Sequence, residues 1–202
     1  MSQKYRLTLT DIRIRELYEL VVHILYLSLS GLYRDVFHII RYILESAVQS
    51  AYIDSRHATS SLRTKIEILK EIEDKRDYRV LNLISKLENL GYKDELTKEY
   101  KKLSQIIHPS YRSIIDIASL FPEKEDSKFP FPSISCREIS NILESLRITF
   151  DMVLFLHLWH APETKRKQLF EEKELLEYVK KYDVPLLSRI LKDKIKVKKN
   201  ER

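Results

Sequence analysis

The sequence predicts an all-α protein, a helical bundle of about seven to nine helices around a single core. Three observations carry this. Apolar residues recur with a helical period almost throughout. Only two glycines, Gly31 and Gly91, occur in 202 residues, where a β-rich chain would need more for its turns. No segment reads as a paired strand; "YRLTLT" (5–10) alternates but has no partner.

The elements follow in order. A first helix is expected from Asp11 to Ser30, with Thr10 as N-cap. Its second half is apolar nearly all round, so it should be central or lie in a subunit interface. Gly31 ends it, and a second helix runs from Leu32 to Arg56, antiparallel to the first if the turn is tight. "SSLRTKIEILKEIED" (60–74) is a third helix, with Ile66, Leu69 and Ile72 or Ile68 inward. "YRVLNLISKLENLG" (78–91) is a fourth, closed by Gly91 as a left-handed cap. A fifth starts near Asp94 and stops at His108, because Pro109 disfavours helical geometry before it. "SYRSIIDIASLF" (110–121) makes a short sixth. Then "PEKEDSKFPFPSIS" (122–135), with three prolines and no helical period, reads as a loop or linker. Ser135 and Glu138 form a capping box that opens a long helix from 136 to about 160. Two amphipathic helices complete the chain, the last with Pro185 in its first turn. The organisation is therefore an N-terminal bundle (1–121), a Pro-containing linker (122–135), and C-terminal helices (136–202) packed on the same core as a semi-independent layer.

Composition limits the function classes. Hydrophobic residues at 44% and charged residues at 33% fit a packed globular chain and argue against disorder. With two glycines there is no Gly-rich phosphate-cradling loop. The single Cys136 excludes an internal disulfide and a cysteine-based zinc cluster, and fits a reducing, cytoplasmic setting. The longest apolar stretches, 20–32 and 152–159, are shorter than the roughly 20 residues of a membrane span. Abundant Ile, Tyr, Lys, Glu and Arg lean towards a thermophile. The net charge of +6 is concentrated in the basic tail, 192–202, whose six basic and two acidic groups give +4. That tail is a solvated terminus, an arm for phosphates, or a membrane-surface helix. Nothing in the sequence requires a cofactor.

The candidate site residues lie mainly on two polar stripes. On the second helix, Arg34, His38, Arg41, Glu45, Gln49 and Tyr52 fall within about 80° of each other. Arg34 and Arg41 would hold a phosphate and His38 would carry a proton, with Glu45 beside them; alternatively the stripe is the polar face of a helix whose opposite arc (Val36, Phe37, Ile39, Ile40, Ile43, Leu44, Ala47, Val48) is core. On the 136–160 helix, Ser140, Glu144, Arg147 and Asp151 share about 60°, beside an inward set of Ile139, Ile142, Leu143, Leu146, Phe150 and Val153. If the stripes face each other, Arg147 would pair with Glu45, and Asp151 with Arg41 or His38. Such a meeting is either a buried ion-pair network or a polar pocket. His108, at a helix C-terminus near Lys101, Lys102 and Ser104, is a general acid or base, or simply a cap on the last carbonyls. His157 and His160 have an i,i+3 spacing that two metal ligands can use, but no third ligand is signposted and no metal site is expected.

With "RYILESAVQSAY" on an early helix and "YKKLSQIIHPS" on a later one, the chain resembles archaeal helical proteins of the HEPN kind, over roughly residues 10 to 160. That resemblance implies a small helical bundle, often dimeric, related to RNases of toxin–antitoxin and defence systems. The HEPN nuclease motif is an Arg, four to six residues, then His on one helix. Here three residues separate Arg34 from His38, seven separate Arg15 from His23, and nine separate Arg147 from His157. No catalytic residue is therefore carried over. A nuclease of this kind would have to assemble its site from several helices, with Arg41, Glu45 and His108 as candidates and Lys102 among the phosphate contacts, without metal. The resemblance implies RNA or a protein as partner; a homodimer is the expected assembly, motivated by the buried first helix. The alternatives are a non-catalytic interaction scaffold and a small-molecule-binding bundle.

Overall fold

A computed structural model describes residues 7–73, 75, 79–87, 90, 92–107 and 135–160, together with 177 and 181. Among them the chain is helical, with no strand. Six helices are present: α1 (Leu9–Leu29), α2 (Tyr33–Arg56), α3 (Leu62–Glu73), α4 (Val80–Lys86), α5 (Lys93–Ile107) and α6 (Cys136–His160). The expected short helix at 110–121, most of the linker, the two last helices apart from residues 177 and 181, the basic tail and the Gly91 cap lie outside the described residues.

α2 is the hub. It packs against each of the other five helices, most extensively against α6 and α1. Its predicted apolar arc is the centre of the core: Val36, Phe37, Ile40, Ile43, Leu44, Ala47, Val48 and Ala51 are buried. Leu83, Ile84 and Leu87 from the α4 region, Leu96, Leu103 and Ile107 from α5, and Ile142, Val153, Phe155 and Leu156 from α6 close around them. Tyr92 meets Phe155 edge-to-face at 4.9 Å between ring centres. Each large aliphatic side chain so buried contributes about 1.5–3 kcal/mol.

The turn between α1 and α2 is tight for a specific reason. Gly31 has φ of 74°, a left-handed conformation that costs a side-chain-bearing residue about 1–2 kcal/mol. Its N–H donates to the Ser28 carbonyl, and the Leu32 N–H donates to the Leu27 carbonyl. These are the two bonds of a Schellman motif, which satisfy carbonyls that the end of α1 would leave open.

The other end of α1 corrects the sequence reading. The N-cap is Thr8, not Thr10: Thr8 Oγ1 accepts from the Asp11 N–H at 3.1 Å, and the Thr8 N–H donates to Asp11 Oδ2 at 2.9 Å. Thr10 is a helical residue, buried against Asp54 of α2. Asp54 Oδ1 accepts from the Leu9 N–H, and Oδ2 from both the N–H and the hydroxyl of Thr10. Threonine at position 10 suggested a cap by type, but the box partner three residues on belongs to Thr8.

α1 is also not central. Leu17, Leu20, Ile24 and Leu27 turn inward to the core, while its opposite face is exposed. Of the residues expected inside α3, Ile72 is buried, Ile68 and Leu69 are partly buried, and Ile66 faces out. Lys65 is buried in its place. On α6, Leu143 was expected inward but is 61% exposed, whereas Ile142, Met152, Val153, Phe155 and Leu156 are buried. Ser135 does cap α6, its hydroxyl accepting from the Glu138 N–H at 3.4 Å, but the expected capping box is only half made, because the Ser135 N–H donates to the Tyr33 hydroxyl and not to Glu138. No helix among the described residues is long and apolar enough to cross a membrane.

Candidate functional site

The polar stripe of α2 is turned towards α5, not towards the stripe of α6. Arg41 Nε donates to Glu45 Oε1 at 2.9 Å, one helical turn away. Tyr100 of α5 completes a triangle: Arg41 Nη2 donates to its hydroxyl oxygen at 3.0 Å, and that hydroxyl donates to Glu45 Oε1 at 2.9 Å. The guanidinium also lies over the Tyr100 ring, 5.2 Å from its centre. Burial lowers the Arg41 pKa, but Glu45 and Tyr100 outweigh it and the net shift is upward. Burial, followed by the Glu45 charge, raises the Tyr100 pKa. The phenol therefore stays protonated at any ordinary pH and serves as a donor to Glu45.

The same construction occurs on the other flank of α2. Arg13 and Glu16 of α1 are paired at 2.7 Å. Tyr42, next to Arg41 in sequence, accepts from Arg13 at 3.1 Å and donates to Glu16 at 2.8 Å. Arg41 and Tyr42 thus tie α2 to α5 and to α1 by two matching Arg–Glu–Tyr clasps. Their recurrence is a packing device: in each, an Arg–Glu pair on one helix is held by a tyrosine from its neighbour.

The other predicted residues disperse. Arg34 donates through Nε and Nη2 to the Ile107 carbonyl at 3.1 and 2.6 Å, capping the C-terminus of α5. His38 is exposed and makes no hydrogen bond or ion pair among the described residues. Arg147 pairs with Glu144 on its own helix at 2.7 Å, not with Glu45, and that hydrogen bond leads the causes that lower the Glu144 pKa. Asp151 is buried on α6; Arg41, one of its two expected partners, is taken up by Glu45 and Tyr100. With Arg41 and Glu45 engaged by Tyr100 and Arg147 by Glu144, the expected Arg147–Glu45 and Asp151–Arg41 pairs do not form. Lys102 lies 3.5 Å from both Glu99 and Ser145 of α6. Glu99 is buried, and burial raises its pKa despite Lys102. His108 lies outside the described residues, as does the side chain of His160. His157 is buried on the core side, 3.7 Å from Asp11. No group of three metal-binding side chains occurs among the described residues.

Two features lie outside the predicted site residues. The first is the Asp54–Lys65 pair, 2.8 Å apart with both side chains almost wholly buried. Its signal was present: residues 40, 44, 47, 51 and 54 are one continuous inward row of α2, and Leu62, Lys65, Leu69 and Ile72 one of α3. A charge in register with an apolar row, opposite in sign on two adjacent helices, marks a buried pair. The second is the outer face of α1. Tyr18, Val21, Val22, Leu25, Tyr26 and Leu29 are exposed by 77, 41, 64, 60, 70 and 58% respectively. All six fall within an arc of about 140°, and no charged side chain shares that arc between residues 18 and 29. Comparison of the chain with protein-family models, with curated proteins and with solved structures finds no match.

Proposed function

We propose that this protein works by association: it is a helical interaction module whose contact surface is the outer face of α1. The observation that carries this reading is the row of six large apolar side chains left in water on that face. They expose on the order of 700 Å², taking tyrosine at roughly 150–250 Å², against the few hundred Å² usual for the largest apolar patch of a monomer. Leaving such an area solvated costs about 25 cal/mol per Å², which a contact would recover. The cations that would hold a phosphate have other duties here. Arg41 is neutralised by Glu45, Arg147 by Glu144, and Arg34 caps α5.

A second reading keeps the HEPN-like resemblance, with RNA contacted along α2. It is favoured by exposed His38, which shares a face with Arg34 and Arg41. A photo-crosslinking amino acid placed at position 25 or at position 38 separates the two. Association predicts protein adducts at 25 that survive RNase, and none at 38. RNase-sensitive adducts confined to 38 would replace this reading with the RNA one.

A further inference from the structure

The spacing on the outer face of α1 identifies its occupant. Tyr18, Val22, Leu25 and Leu29 follow one another at intervals of four, three and four residues, the a/d repeat of a two-helix coiled coil. Val21 and Tyr26 border this row. The inner row, Leu17, Leu20, Ile24 and Leu27, is spent on the protein's own core. α1 is thus a two-sided helix with one seam filled and one open.

We infer that the open seam is filled by α1 of a second copy of this chain, running antiparallel about a two-fold axis between Val22 and Leu25. This rests on the association reading above and names its partner. In that register an a position meets a d position at each level, Val22 opposite Leu25 and Tyr18 opposite Leu29, in the self-complementary manner that a two-fold contact requires. The area fits: six side chains on each copy expose on the order of 700 Å², close to the roughly 800 Å² per partner of a stable interface. The charges fit as well. Arg15 is the exposed cation that borders the open row at its N-terminal end. A parallel pairing would set the two Arg15 side chains against each other and align the helix dipoles. The antiparallel one places Arg15 just past the C-terminal end of the partner's α1, about 25 Å along the axis from its copy, and opposes the dipoles. The Asp54 and Tyr42 clasps hold α1 to the bundle from behind, so the seam is presented on a fixed helix.

The test has two parts. The full chain at tens of micromolar is expected to sediment at twice the 24.2 kDa chain mass. The double variant Val22→Lys, Leu25→Lys, altered only at exposed positions, is expected to sediment as a monomer with an unchanged far-ultraviolet helix spectrum. In a Cys136→Ser background, Tyr18→Cys and Leu29→Cys chains are then oxidised separately and mixed. The antiparallel register predicts a disulfide only in the mixture. A disulfide in Tyr18→Cys alone would overturn it in favour of a parallel pair. A wild-type monomer with no disulfide in any sample overturns the dimer. If protein adducts at position 25 persist in that case, the association reading stands with a different partner; if they are absent too, both fall.

Discussion

The Asp54–Lys65 pair and the Arg41–Glu45–Tyr100 clasp contain the same kinds of group at similar distances, yet they stand in different solvents. The first has side chains 3 and 4% exposed, the second 22 and 27% for Arg41 and Glu45. Asp54 accepts from Lys65, from two backbone N–H groups at the start of α1 and from the Thr10 hydroxyl. It joins three helices and receives the positive end of the α1 dipole. The half-open clasp joins two helices and still touches water. The comparison teaches that burial, not the residue types, sets what an ionic contact is worth. An ion pair in water contributes up to about 1 kcal/mol, while removing one partner of a buried pair costs about 3–5 kcal/mol.

The sharpest way to break the comparison is Asp54→Ala. It leaves Lys65 and the first N–H groups of α1 buried without their acceptor. A loss of about 3–5 kcal/mol is expected, and a melting temperature lower by about 10 °C for a chain of this size. Equal melting of Asp54→Ala and Arg41→Ala would collapse the distinction. Lys65→Met should cost less, about 1.5–3 kcal/mol, because Asp54 retains three donors. The double variant Asp54→Ala, Lys65→Met is expected to lose less than the sum of the two singles by at least about 0.5 kcal/mol, since both act on one network. Urea unfolding of all four proteins measures this coupling.

Smaller effects belong to the half-open contacts. Tyr100→Phe and Tyr42→Phe should each cost about 0.5–1.5 kcal/mol, and Arg41→Ala no more than about 1 kcal/mol. The Arg41 loss should shrink in 1 M salt, where screening acts within about 3 Å, while that of Asp54→Ala persists. Denaturation at two salt concentrations reads the difference directly.

The smallest expected effect is a pH dependence at Glu99. Its folded pKa is raised from the ordinary 4.5 by burial, so the folded state binds this proton more tightly than the unfolded chain does. Ionisation then costs stability. The cost is absent below the unfolded pKa and complete once the pH has risen past the folded one. Glu99→Gln should therefore melt slightly above wild type at neutral pH and level with it near pH 3.5. A variant that melts lower than wild type at neutral pH would show that the Lys102 contact outweighs burial.

Much of the scaffold was legible before any coordinates. The Gly31 turn, the inward arc of α2 and the span of α6 follow from period, glycine placement and a capping residue, because backbone hydrogen bonding and apolar burial are local in register. What was not legible is which neighbour each polar face meets. Arg41 pairs with Glu45 as the i,i+4 spacing indicates, but Tyr100 lies 55 residues further on, and nothing in either helix encodes the other. The all-round apolar character of α1 left two places open to it, the centre of the core or an interface, and the exposed outer face removes the first. Periodicity reports that a face avoids water, not what it meets instead. Asp54 and Lys65 are hidden for the opposite reason: each sits singly inside an apolar row, with no polar stripe to mark it.

The start of α2 has one more consequence. Arg34 holds the last carbonyl of α5, and the hydroxyl of adjacent Tyr33 accepts from the Ser135 N–H just before α6, at 2.6 Å. The chain on either side of 108–134 is thus moored to consecutive residues of one helix. Two neighbouring side chains of α2 therefore act as one hinge pin, fixing the end of α5 and the start of α6 to the same point of the bundle.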